Sequence, residues 1–221
     1  CGHHGIDLPI GLIDGTAMRT RAAPGIFDGA LVTPDLCIRR RVDGGYTLAL
    51  SGRGTYHITP RGLRYAPRLL RLFLQTRKGL KYHFGRTFFR GPEALGGWSN
   101  DGVSPFEKTR VLDPAPGQAI VKEAIDALHA TFPQLRDVAI EQAWAGAIDT
   151  TADIIPVISP VDALPGLVVS SGFSGHGFGI GPGAGRLTAD LVTGDAPIVD
   201  PHAFRYSRLV DGSDLGKPGM I

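Results

Sequence analysis

The tract Gly172-Phe173-Ser174-Gly175-His176-Gly177-Phe178-Gly179-Ile180-Gly181-Pro182-Gly183-Ala184-Gly185 places seven glycines in one short stretch. An apolar run, Gly166–Ser171, precedes it, and a helical pattern at about 184–193 follows, ended near Gly194. Glycines let backbone N–H groups approach a ligand that side chains would keep away. A helix starting just beyond aims its positive end at the same place. Strand, glycine loop and helix in that order make a site for an anion or an electron-rich heterocycle. Tight packing of a helix on a sheet asks for one or two glycines, not seven. Gly179-x-Gly181-x-x-Ala184 also fits the relaxed G-x-G-x-x-G/A fingerprint. That match is weak, because the glycines start well after the strand and no second strand brings an acid about 20 residues on.

The rest of the chain supplies a turn-rich domain. Its 221 residues are enough for a real core, and 43% hydrophobic with 20% charged residues excludes wholesale disorder. Asp43-Gly44-Gly45 predicts a hairpin between Leu36–Val42 and Tyr46–Ser51. A second hairpin is expected from Tyr46–Ser51 to Thr55–Ile58 across Gly52-Arg53-Gly54. Residues 60–91 hold nine of the 23 basic side chains and no acid. Helical spacing there puts Leu63, Ala66, Leu69, Leu70 and Phe73 on one face, with Arg61, Arg64, Arg68 and Arg71 opposite. A basic amphipathic helix at 61–75 can serve a membrane surface, an acidic partner or nucleic acid, or meet carboxylates of its own chain. The last of these is the expectation, since the helix lacks a wide apolar anchor. Residues 92–114 read as a loop, and Ile120, Ala124, Ala127, Leu128 and Thr131 line a second helix at 117–132, stopped by Pro133. Residues 137–149 and 154–158 are strand candidates, and the tail from Asp195 lacks periodicity.

At the glycine tract a family comes into view. Gly172 to Phe178 and the helix after it resemble the C-terminal flavin-binding segment of the FAD-dependent D-amino-acid oxidase superfamily, which includes D-amino-acid dehydrogenases and glycine and sarcosine oxidases. A second stretch agrees: Trp144-x-Gly146, then Thr151-x-Asp153-x-x-Pro156, is similar to the family's W-x-G-x-R-P-x-T-P-D-x-x-P element. Ser104-Pro105-Phe106 with Arg110-Val111-Leu112-Asp113-Pro114 reads like a related substrate-domain loop.

The resemblance implies an α+β fold: an antiparallel substrate-domain sheet with packed helices, plus the C-terminal strand, glycine loop and helix of an FAD-binding domain. Residues 1–145 would form the substrate domain, and 146–221 would return to the FAD-binding domain. The N-terminal FAD-binding βαβ of the family has no counterpart before residue 172. The chain is therefore expected to be the C-terminal portion of a longer enzyme, whether a truncated product, one subunit of a split enzyme or a fragment. The implied cofactor is FAD and the implied reaction is oxidation of a C–N bond of an amino acid or amine. Gly172, Ser174, Gly175, His176, Gly177 and Phe178 would bind the flavin edge. His176, Tyr82, Arg86 and Arg90 are the candidate catalytic residues, with His176 either near the reacting carbon or a loop residue held for shape. The small substrate and an N-terminal FAD-binding portion or subunit are the expected partners.

Two departures leave the substrate open. The arginine with which many relatives clamp a substrate carboxylate falls on Ile148, and the lysine that sarcosine-type relatives carry after His-Gly-Phe falls on Gly179. Asp149 beside Ile148 would suit a cationic substrate or, more simply, serve as a turn carboxylate.

Other chemistries find no footing. There is no G-x-S-x-G elbow, H-E-x-x-H, C-x-x-C or G-K-[ST] element. A net charge of +2 gives no argument for nucleic acid. Two cysteines, Cys1 and Cys37, cannot form a disulfide framework, which points to a cytoplasmic setting, and no apolar run approaches a membrane span. The rival reading is a non-catalytic binding module, or a lipid-anchored remnant modified at Cys1, that works through the basic helix.

Overall fold

A computed structural model describes residues 1–89, 93–94 and 101–216. Its architecture is α+β, as the resemblance implies. The central strand is β1, Gly11–Thr20, and two groups of strands share one of its edges. On the second half of that edge lie β2 (Ala30–Val32), β3 (Cys37–Arg40) and β4 (Tyr46–Ala49), with β4 against β1. On the first half lie β5 (Gly54–His57) and β6 (Leu80–His83), with β5 against β1. The other edge carries β7, Ile140–Thr150, in register from Gly11↔Thr150 to Arg19↔Gln142.

The hairpin across Asp43-Gly44-Gly45 forms as expected, with Arg40 paired to Tyr46. The second expected hairpin does not: β4 and β5 both pair with β1, end to end along the same edge. Pairing is antiparallel throughout except for β5 and β6, which are parallel and joined by a helix crossover.

That crossover is α1, Pro60–Thr76, capped by the Thr59 hydroxyl accepting from the Gly62 N–H at 3.0 Å. Its buried stripe is Gly62, Tyr65, Leu69 and Leu72, whereas Leu63 and Leu70 of the expected apolar face are more than half exposed. The stripe is turned because Tyr65 reaches Asp7 and Gly62 lies against the Tyr56 ring. Three of its four arginines meet carboxylates: Arg64 and Arg68 share Asp7 at 3.2 and 3.1 Å, and Arg71 pairs with Asp214 at 3.0 Å. Pairing within the chain is the arrangement the sequence favours over a docking surface.

Two short helices, α2 (Arg86–Phe89) and α3 (Pro105–Lys108), precede α4, Gln118–Thr131. Helix α3 gives the expected loop at 92–114 a turn of its own, closed by a Ser104–Glu107 capping box. Helix α4 buries Ile120, Ala124 and Leu128 against Met18, Ile38, Tyr46 and Leu48, the largest core cluster among the described residues. Helix α1 covers the opposite face of the sheet through Tyr56, Phe73, Leu69 and Ile13.

After β7 the chain leaves this sheet. Strands β8 (Val157–Pro160) and β9 (Val168–Ser171) form a separate antiparallel pair, on which α5, Gly177–Thr193, packs through Ala184 and Leu187. The expected division at 145/146 cuts β7; the change of sheet comes after Thr150. Helix α5 starts seven residues earlier than the pattern at 184–193 suggests and takes five glycines and Pro182 into its body. The tail is ordered by side chains rather than periodicity: Leu209 joins Ile6, Val157, Val161 and Val169, and Arg208 is buried beside Asp153.

Candidate flavin-edge turn and the sheet face beside it

The turn between β9 and α5 is built around two left-handed residues, Gly172 at φ 75° and Ser174 at φ 52°, with Gly175 at φ 86° after them. A Cβ on Gly172 would stand 2.5 Å from Thr151 Cγ2, so space as well as φ requires glycine there. The end of β7 holds this turn. Asp149 Oδ2 accepts from the Gly172 N–H at 2.6 Å and from the Ser171 hydroxyl at 3.0 Å. The Asp149 carbonyl accepts from the Ser174 N–H at 2.8 Å. The Ser174 hydroxyl points inward, accepting from the Thr151 N–H at 3.3 Å and donating to the Gly172 carbonyl at 3.2 Å. Asp149 is thus the turn carboxylate, tied to its own loop.

Beyond the turn the chain faces outward. His176 is the N-cap of α5 and its side chain makes no capping bond; its carbonyl accepts from the N–H groups of Gly179 and Ile180. His176 is exposed and Phe178 fully so. Among the described residues no acceptor meets the N–H groups of Gly175, Gly177 or Phe178. Three unengaged backbone donors therefore sit at the positive end of a 17-residue helix. A Cβ on Gly179, Gly181, Gly183 or Gly185 would meet nothing within 4 Å, so α5 presents bare backbone to its surroundings. Donors without acceptors and helix backbone without cover fit the carbonyl-rich edge of a flavin approaching from outside. Gly177 differs: its Cβ would point at Phe173, 3.3 Å away, inside the chain.

Register places the other candidates. Residues directly opposite each other share a face of a sheet. Ile148 of β7, Ile13 of β1, Tyr56 of β5 and Tyr82 of β6 therefore form one transverse row. Ile148 lies at the loop end, with Cγ2 3.9 Å from the position of a Cβ on Gly175 and Cδ1 2.7 Å from that of a Cβ on Gly15. Tyr82 closes the far end, about 14 Å away at three strand spacings, half exposed beside Phe73. Toward the far end of β1 the same face continues through Gly15 and Gly146, then Ala17 and Trp144, before the first charge, Arg19 opposite Gln142. Arg19 is already paired with Glu141 at 3.0 Å.

Tyr82 and the loop thus lie on one sheet face, separated by Ile13 and Tyr56, which are buried beneath Phe73 of α1, and Arg86 opens α2 three residues after β6, exposed. Neither touches the loop among the described residues. Arg90 lies outside the described residues. The Tyr56 phenol, 6% exposed, is pushed up to about 12 by burial, with Glu93 and Tyr82 adding to the effect.

Sequence reasoning missed a group on the opposite face. His57 Nε2 stands 2.7 Å from Asp14 Oδ2, and the His57 ring meets the His83 ring edge-on at 5.3 Å. His57 and His83 are neighbours only because β5 and β6 are parallel, a pairing the strand pattern does not reveal.

Comparison with known proteins adds the following. A family model described as FAD dependent oxidoreductase matches residues 38–191. A glycine oxidase of Pseudomonas aeruginosa is 36% identical over 86 residues, 37% of this chain and 24% of that protein. The gamma-glutamylputrescine oxidoreductase of Escherichia coli is 38% identical over 76 residues, 34% of this chain and 17% of that one. The solved L-amino acid deaminase of Proteus myxofaciens, in complex with anthranilate, superposes with a TM-score of 0.83 at 28% identity, over 94% of this chain and 46% of that one. The deaminase of Proteus vulgaris gives 0.79 at 25% identity, over 91% and 46%. The matched stretch spans a quarter or less of these curated relatives and under half of the solved chains.

Proposed function

This chain belongs to the FAD dependent oxidoreductase family, and on that footing we propose that it is the substrate-side portion of a flavoenzyme oxidising a C–N bond of an amino acid or amine by hydride transfer. FAD, when bound, supplies the two-electron acceptor. The observation that carries the reading is the set of N–H groups on Gly175, Gly177 and Phe178, left without acceptors at the start of α5. These donors and the helix end would hold the pyrimidine edge of the flavin and favour negative charge there. Gly172 and Ser174 contribute through conformation, bending the chain so that those N–H groups face outward.

His176, exposed at the head of α5, is assigned to the substrate side of that edge. Tyr82 and the Arg86–Arg90 stretch are assigned to the far side of the substrate. Residues up to Thr150 form the substrate domain, and β8, β9 and α5 belong with an N-terminal FAD-binding portion. Five glycines in one helix cost about 1 kcal/mol each against alanine. Four of them meet nothing in this chain, which supports a second body approaching α5 closely. Two unpaired cysteines suit a cytoplasmic setting, and no helix among the described residues is long and apolar enough to cross a membrane.

The test is spectroscopic. The complete gene product should purify yellow and bleach when an oxidisable amino acid or amine is added without oxygen. The 221 residues alone should be colourless. Stoichiometric FAD on the isolated chain, or a yellow holoprotein that no amine or amino acid bleaches, would remove this reading.

A further inference from the structure

Asp149 stands where the family pattern W-x-G-x-R-P, begun here by Trp144 and Gly146, carries proline. The substitution exchanges a ring without a donor or a charge for a carboxylate, and the carboxylate is engaged in the turn. Three bonds converge on this one residue: Gly172 N–H and Ser171 Oγ–H on Oδ2, at 2.6 and 3.0 Å, and Ser174 N–H on the main-chain oxygen at 2.8 Å. They bracket Phe173, itself bridged to Thr150. The two residues they fix, Gly172 and Ser174, have positive φ. For serine that conformation is uncommon and persists only where the surroundings impose it.

We propose that Asp149 is a positioning residue: its carboxylate holds the Gly172–Ser174 turn in its left-handed form, and so aims the N–H groups of Gly175, Gly177 and Phe178 at the flavin. The proposal rests on the reading of this turn as the flavin edge. Its physical basis is the strength of the bond to Gly172. An N–H donating to a carboxylate is about twice as strong as a neutral pair, and 2.6 Å is at the short end for such bonds. No other side chain among the described residues accepts from the Gly172 N–H. Without the carboxylate the turn keeps two backbone bonds, from the Ser174 N–H to Asp149 and from the His176 N–H to the Phe173 carbonyl, and the weaker ties of the Ser174 hydroxyl. An amide oxygen in the same place would accept the same two hydrogens in weaker, neutral bonds, so asparagine should keep part of the hold where alanine loses it.

The experiment uses the FAD-loaded complete protein with Asp149→Ala and Asp149→Asn, plus Ser171→Ala as a milder change that leaves the Gly172 bond intact. Hydrogen exchange by mass spectrometry reads the turn directly, and the flavin absorbance spectrum and midpoint potential read its aim. Asp149→Ala should speed exchange in the 171–176 segment about ten- to hundredfold. The β1 and α4 segments should keep their protection. The same variant should shift the flavin spectrum and potential and lower kcat more than it raises KM. Asp149→Asn should lie between wild type and Asp149→Ala in protection and spectrum, and Ser171→Ala should give a smaller change in the same direction as Asp149→Ala. Unchanged exchange at 171–176 in Asp149→Ala would overturn the latch. If that variant does not fold, a partial rise in exchange at 171–176 in Asp149→Asn and Ser171→Ala, with β1 and α4 still protected, would support the latch, whereas unchanged exchange in both would overturn it. Faster exchange with an unmoved flavin spectrum and potential would leave the latch standing, place the turn away from the flavin, and overturn the aiming role together with the flavin-edge reading.

Discussion

Arg208 Nε lies 2.7 Å from Asp153 Oδ2, and both side chains are at least 96% buried. Arg208 Nη2 also donates to the other carboxylate oxygen at 3.2 Å and to the carbonyls of Ile155 and Pro156, while Nη1 reaches the Arg205 carbonyl. The aspartate of the Thr151-x-Asp153-x-x-Pro156 element is therefore the anchor that ties the tail beneath β8. Removing one partner leaves an unpaired buried charge, which costs about 3–5 kcal/mol. Arg208→Ala and Asp153→Ala should each lower the unfolding free energy read from a urea titration by that much. The paired change Asp153→Leu with Arg208→Met should cost less than either alone, and a larger loss in the double variant would contradict the account.

The sequence made Asp153 visible through its motif but gave no sign of Arg208, because the tail has no period and the bond joins residues 55 apart. The same distinction runs through the chain. Helix α4 was legible to within a residue or two since its apolar side chains meet one flat face of the sheet. The buried stripe of α1 was not, since Gly62 and Tyr65 face the core and Leu63 and Leu70 do not. The glycine turn was recognisable by its residues. Its geometry was not, because glycines that look like loop in a pattern are helix once α5 starts at Gly177. Pairing of both β4 and β5 with β1 is a long-range choice that turn chemistry does not encode.

Ile148 occupies the family's arginine position and lies against both Gly175 and Gly15. Among the described residues of β1 and β7, no cation shares its sheet face before Arg19, which pairs with Glu141. A charge-assisted bond to a carboxylate contributes about 1.5–3 kcal/mol, or roughly ten- to hundredfold. Ile148→Arg in the complete protein should raise kcat/KM for amino acids over the corresponding decarboxylated amines by a factor in that range. An unchanged ratio would separate Ile148 from the substrate.

Burial of Tyr56 holds its phenol neutral up to about 12, against the ordinary 10. The folded state thus keeps this proton in a range where the unfolded chain has lost it. Its contribution is fully present below pH 10 and is lost as pH rises from 10 to 12. Stability to urea should fall across that window, and Tyr56→Phe should flatten the fall. Absorbance titration of the folded chain, which has five tyrosines, should lose one late-ionising group in the same variant. A Tyr56→Phe variant with the wild-type alkaline profile would assign the effect elsewhere.

Gly181 and Gly183 sit inside α5 with open space where a Cβ would go. In this chain alone alanine at either position has nothing to strike and improves helix propensity by about 1 kcal/mol. Gly181→Ala and Gly183→Ala should therefore raise the urea midpoint of the isolated chain. In the complete protein the same methyl groups would stand between α5 and the body that approaches it, so flavin content should fall while the isolated chain gains. Gly172→Ala provides the contrast. There φ is 75° and Thr151 Cγ2 is 2.5 Å from the new carbon, so it should destabilise both forms. Opposite signs at 181 and 183 with equal signs at 172 would mark α5 as a covered surface and the turn as an internal hinge of the fold. If alanine at 181 and 183 stabilises the complete protein with full flavin content, α5 is open to solvent there and its glycines serve no close approach.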